Sequence, residues 1–220
     1  MTTLNIHIND WHDIHAGFDL VLHSGYTPLV GPNGAGKTTL LSQLREYAHD
    51  HDIMVFEYSN LQDGGDSARQ KYILGNDLAM LAAAAFSSEG EQIALNFSQA
   101  VSQIGGAVKK AKAEQRTLFI LLDSLDSGAS IDRLRELRSF FGLVHRDIGD
   151  SPIYLVVAVN AYELVKDARC IDVRSGCERS FGSYGAYAEF ICRYFDEHQP
   201  PEKKENAEAL KAGRARMKQR

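Results

Sequence analysis

The chain has 220 residues, 44% of them apolar, enough to bury a core as one globular domain with at most a small appendage. Its net charge of −5 argues against adhesion of the whole body to nucleic acid, no apolar run reaches the roughly 18 residues of a membrane span, and the N-terminus lacks the basic-then-apolar pattern of a signal peptide. Cys170, Cys177 and Cys192 show no C-x-x-C spacing, so neither a disulfide framework nor a zinc site is indicated, and a reducing cytoplasm is the expected setting.

Leu4-Asn5-Ile6-His7-Ile8 alternates apolar and polar side chains as a half-buried strand does, and Phe18-Asp19-Leu20-Val21-Leu22 repeats the pattern. The two predict an N-terminal antiparallel element. Between them lies Trp11, the only tryptophan, for which adenine stacking and core anchoring both stand open. The apolar run Tyr26-Thr27-Pro28-Leu29-Val30 then leads into Gly31-Pro32-Asn33-Gly34-Ala35-Gly36-Lys37-Thr38-Thr39 and on to a helical pattern from Leu40. This is the phosphate-loop pattern G-x-x-x-x-G-K-[ST] in its required strand, loop, helix context. Glycines let backbone N–H groups turn inward around a phosphate, and the helix N-terminus adds partial positive charge beneath it. Residues Asn33 to Thr39 are thus the predicted nucleotide-binding loop. Lys37 is placed to reach the β- and γ-phosphates, and Thr38 to ligate Mg²⁺.

Ile53-Met54-Val55-Phe56-Glu57-Tyr58 predicts another strand, followed by a polar, glycine-containing loop in which Gln62 is a candidate for Mg²⁺ and attacking water, or an ordinary loop residue. Residues 67–86 read as one or two helices. Ser88 and Glu91 have capping-box spacing before a helical stretch, and Gly105-Gly106 is expected to kink or end that helix. Thr117-Leu118-Phe119-Ile120-Leu121-Leu122-Asp123 reads as a doubly covered parallel strand ending in a carboxylate, so Asp123 is predicted to hold the metal through water opposite Thr38. A helix is predicted over 131–141, a buried strand from Ile153 to Val159 ending at Asn160, a short strand over 170–174, and a final helix over 187–195 with an aromatic face. Beyond Pro200-Pro201 the chain turns basic, so residues 1–199 are read as the nucleotide-binding domain and 200–220 as a charged tail.

Together these pieces resemble the ATP-binding-cassette ATPases, within them the SMC and RecF-like branch rather than the transporter branch, over roughly residues 1 to 195. The resemblance implies an α/β P-loop NTPase fold with a mostly parallel core sheet flanked by helices. Gly31 to Thr39 is similar to that family's GPNGAGKTT loop, and Leu121-Leu122-Asp123 with Asp126-Ser127-Gly128 is similar to its Walker B and D-loop. Ser88-Glu89-Gly90-Glu91 resembles a degenerate signature motif, which implies that Ser88, Gly90 and Glu91 close over the nucleotide of the other subunit. Asn160 falls where the family has its switch histidine, which implies a γ-phosphate sensor. Two departures bear on turnover. Ser124 stands where the family carries its catalytic glutamate, and a hydroxyl is a poor base at neutral pH. Asn160 can hydrogen-bond a phosphate but cannot carry charge. Asp126 is the candidate replacement base. The span from Gln62 to Ser88 is too short for a transporter's helical subdomain or a coiled-coil arm. The groups Asp126-Ser127-Gly128, Ser130-Ile131-Asp132 and Asn160-Ala161-Tyr162-Glu163-Leu164 resemble small single-domain ATPases of bacterial mobile elements and phages.

The expectation is therefore an ATP- and Mg²⁺-dependent homodimerisation switch with slow hydrolysis, acting with a protein partner in a soluble assembly that is DNA-related or phage- or defence-related. A non-hydrolysing scaffold using the basic tail to hold nucleic acid or an acidic protein is the alternative. A kinase-like transferase is disfavoured because no lid or acceptor-binding segment is visible.

Overall fold

A computed structural model describes residues 2–10, 17–60 and 89–197, leaving aside the side chains of 89–99 and 195–197. Contacts divide the chain into two units, residues 1–182 and 183–220.

In the first unit, strands β1 (Thr3–Ile8) and β2 (Phe18–His23) form a separate antiparallel pair, in register from Thr3 opposite His23 to Ile8 opposite Phe18. The alternation read from the sequence sends Ile6, Ile8, Leu20 and Leu22 to the buried face. The main sheet contains β3 (Gly25–Val30), β4 (Met54–Ser59), β5 (Leu118–Asp123), β6 (Ile153–Ala158), β7 (Cys170–Asp172) and β8 (Glu178–Arg179) in the order β4-β5-β6-β3-β7-β8. All pairings are parallel except β7 with β8. Strand β6 is buried along its whole length and β5 as far as Leu122, so both faces are covered, which is why each reads as an unbroken apolar run. Pro28 is tolerated in β3 because β7 pairs only with Leu29 and Val30, leaving one flank at Pro28 without a ladder to break.

Helix α1 (Lys37–Asp50) packs on β4, β5 and β6, α2 (Glu89–Glu114) on β4 and β5, and α3 (Ile131–Ile148) with the single turn α4 (Tyr162–Val165) on β3. Gln43 fastens α1 to the end of β1: its Oε1 accepts the N–H of Asn9 at 2.9 Å while its Nε2 donates to the Asn9 carbonyl at 3.3 Å. The helix does not end at Gly105-Gly106. Helix α2 runs through both glycines because Ala100, Ile104, Val108 and Ala111 keep a buried stripe in phase on either side. Each glycine costs about 1 kcal/mol relative to alanine, and that burial offsets it. Helix α3 continues seven residues beyond the predicted end at Phe141, stopping at Gly149, whose φ of 57° and ψ of −130° favour glycine.

The second unit contains helix α5 (Tyr184–Glu197). Ser183 Oγ accepts the N–H of Ala186 at 3.2 Å, an N-terminal cap, and Arg193 reaches Glu189 one turn back at 2.7 Å. The tail, 200–220, lies outside the described residues.

Candidate functional site

Strand order brings the site together. Helix α1 carries the chain from β3 past β6 and β5 to the far edge, so the carboxyl ends of β3, β6 and β5 lie side by side. At about 4.8 Å per strand, β3 and β5 are about 10 Å apart with the end of β6 between them. Such carboxyl-end crevices are where open α/β sheets place ligands. Here a cavity of about 260 Å³ is lined by Asn33, Gly34, Gly36, Lys37, Thr38 and Thr39 from the loop and α1, by Asp123 at the end of β5 with Ser124 after it, and by Asn160 after β6. Eight of these are the residues expected from the sequence for nucleotide, metal or sensor roles. Ala35, the remaining loop residue, is buried and supports the turn.

Gly36 precedes α1 at φ 98°, a left-handed conformation that a side chain would strain, and this turn aims the first turn of the helix at the cavity. No side chain caps that helix end and no acidic residue sits in its first turn, so its orphan N–H groups and positive dipole end are offered to an anion. Lys37 is 9% exposed; its Nζ donates to the carbonyls of Gly31 at 2.6 Å and Pro32 at 3.1 Å. An ammonium has three donors, so one remains. Burial lowers the Lys37 pKa, and the carboxylates of Asp126 and Asp123 oppose that shift.

Thr38 Oγ1 donates to Asp123 Oδ2 at 2.8 Å. Two hard oxygens at that separation match adjacent corners of a Mg²⁺ octahedron, whose ligands at about 2.0–2.1 Å lie about 2.9 Å from one another. The donor set therefore fits Mg²⁺ completed by phosphate and water. Ser124 donates from Oγ to the other Asp123 oxygen at 3.2 Å, and it does so from a left-handed φ of 57°. Its hydroxyl is thus turned onto the Asp123 carboxylate.

Asp126 does not line the cavity. It lies in the turn after β5, and its Oδ2 accepts the backbone N–H groups of Asn160 and of Ala161, the latter at 2.7 Å. Its other oxygen is buried without a partner in the described structure. The carboxylate so ties the end of β5 to the end of β6 and sets the position from which Asn160 faces the loop. Sequence reasoning flagged Asp126 but missed its partners, which are backbone groups more than 30 residues away and have no sequence signature.

Trp11, Gln62 and Ser88 lie outside the described residues. Gly90 and Glu91 fall in the first turn of α2, which begins at Glu89, directly after Ser88. Among the described residues no helix is long and apolar enough to cross a membrane. No protein-family model matches the chain, and no curated protein matches it.

Proposed function

We propose that this chain is an ATP-binding P-loop ATPase of the ATP-binding-cassette type, working as a nucleotide-dependent dimerisation switch with slow hydrolysis. The observation that carries the reading is the 2.8 Å pairing of Thr38 with Asp123 across the cavity mouth, beside an uncapped helix start and a buried lysine. A glycine-rich turn with no ligand role gives no reason for a metal-type carboxylate to meet the hydroxyl that follows its lysine. In this reading the first-turn N–H groups of α1 and Lys37 hold the β- and γ-phosphates, Thr38 and Asp123 hold Mg²⁺, and Asn160 hydrogen-bonds the γ-phosphate. The chemistry that Mg²⁺ would supply there, held by Thr38 and Asp123, is neutralisation of phosphate charge.

Slow turnover follows from Ser124, a weak base whose hydroxyl is already spent on Asp123. Asp126 acts as the replacement base only if nucleotide binding turns its buried Oδ1 towards the cavity, since Oδ2 is held by two N–H groups. These commitments also support the second reading, a scaffold that binds nucleotide without turning it over. Both readings share closure of two copies over nucleotide, with Ser88, Gly90 and Glu91 of each facing the other's loop.

Light-scattering mass with and without ATP·Mg²⁺, run beside single-turnover hydrolysis, tests the proposal. The expected result is a doubling of mass with ATP·Mg²⁺, lost in Lys37→Ala and in Ser88→Arg. Hydrolysis that disappears in Asp126→Asn while ATP still binds selects the ATPase, and an ATP-held dimer without turnover selects the scaffold. A protein of one mass under all conditions contradicts the switch.

A further inference from the structure

A second cavity, of about 290 Å³, lies beside the amino-terminal half of β3 and shares no lining residue with the phosphate-side cavity. Its apolar wall includes Tyr26 and Phe141, whose rings stack at 5.0 Å between centroids and 20° between planes. The Tyr26 hydroxyl is already committed, donating to the Leu164 carbonyl at 2.9 Å. On α3, the next residue, Gly142, faces the same space: a Cβ built there meets no atom within 4 Å. The helix is therefore bare where it lines the cavity, leaving a recess that a side chain would fill.

The polar groups around this recess are unevenly matched. Glu178 is paired with His23 at 3.0 Å, and Asp167 with Arg138 at 2.9 Å. His145 lies so close to Gly25 that a Cβ there would fall 2.1 Å from its Nδ1. That approach lets Nδ1 accept the N–H of Tyr26 at 3.1 Å. A neutral imidazole held this way carries its proton on Nε2, which has no partner among the described residues. Arg169, exposed at the cavity, likewise has no ion partner among them. What remains to be satisfied is one guanidinium and one N–H donor next to an aromatic wall.

We propose that this cavity is a second ligand site, taking a small planar aromatic carboxylate whose ring lies over Gly142 against Tyr26, itself backed by the buried Phe141, and whose anion meets Arg169 and the Nε2–H of His145. A guanidinium suits a carboxylate because its N–H pairs match the two oxygens. The volume is at the small end of ligand pockets and matches a one- or two-ring molecule. The site stands independently of nucleotide binding.

Equilibrium dialysis of the full chain against indole-3-acetate and tryptamine, which share a ring and differ in the sign of their charge, tests it. Indole-3-acetate is expected to be retained with a Kd of about 1 mM or tighter, and tryptamine at least about tenfold more weakly. Gly142→Leu fills the recess with a better helix former and is expected to abolish retention, Arg169→Ala to weaken it about tenfold, and Lys37→Ala to leave it unchanged. Melting curves confirm that each variant is folded, and Arg169→Ala, at an exposed position, provides the test if Gly142→Leu does not fold. Absence of retention by the wild type overturns the proposal. So do equal retention of tryptamine, undiminished retention by the folded Gly142→Leu or Arg169→Ala variant, and loss of retention in Lys37→Ala.

Discussion

At Lys37, burial and charge oppose one another. Desolvation favours the neutral amine and lowers the pKa below the ordinary 10.5, while Asp126 and Asp123 pull it back part of the way. The unfolded chain thus holds this proton more tightly than the folded one, so the burial penalty is full at neutral pH. It is relieved as pH rises from the folded pKa towards 10.5. Phosphate binding moves the other way, because the attraction depends on the charged form. ATP affinity is expected to begin falling at an alkaline pH still below 10.5, and equilibrium binding across an alkaline pH series checks it. A profile flat up to 10.5 contradicts a role for the ammonium. Ser124 shows another local tension, a non-glycine residue at φ 57°, a conformation costing about 1 kcal/mol. In return its hydroxyl reaches Asp123.

Among the elements, the link that positions Asn160 is the one between the turn after β5 and the end of β6. Removing the Asp126 carboxylate leaves the N–H groups of Asn160 and Ala161 without their acceptor, so Asp126→Ala is expected to lower stability by about 2 kcal/mol, measured by urea unfolding. Asp126→Asn keeps an acceptor oxygen and is expected to recover most of that loss. Equal stability of Asp126→Ala and wild type contradicts the tie. The sequence made most of the elements legible for identifiable reasons. Strands β5 and β6 announce themselves by continuous apolar runs because both their faces are covered, and β1 and β2 by alternation because one face is. The loop and α1 are legible because a glycine-rich turn leading from a strand into a helix restricts residue types at fixed spacing. Four-residue α4 and two-residue β8 are too short to carry a period, and α2 runs on past its glycine pair because a buried stripe spans it.

On the scale of the whole molecule, the first unit places the loop, Asp123 and Asn160 around one cavity at the carboxyl edge of the sheet. Thr38 and Asp123 are 85 residues apart in the chain, and their meeting was legible because the apolar run ending in Asp123 reads as a parallel strand whose carboxyl end lies beside the glycine-rich loop. The second cavity was not legible, because its walls come from five separated segments whose residues form no motif. The boundary expected at 199/200 was drawn on composition, the change to a basic tail, whereas contacts divide the chain at 182/183.

The central claim, that the loop and Asp123 form a Mg²⁺-dependent nucleotide site, is tested most directly by calorimetric titration of ATP into wild type and Asp123→Asn, each with and without Mg²⁺. The predicted result is a wild-type Kd in the micromolar range with Mg²⁺, weakened about tenfold or more by Asp123→Asn only when Mg²⁺ is present. No ATP binding by the wild type, or an Asp123→Asn titration that matches it in Mg²⁺, would contradict the account.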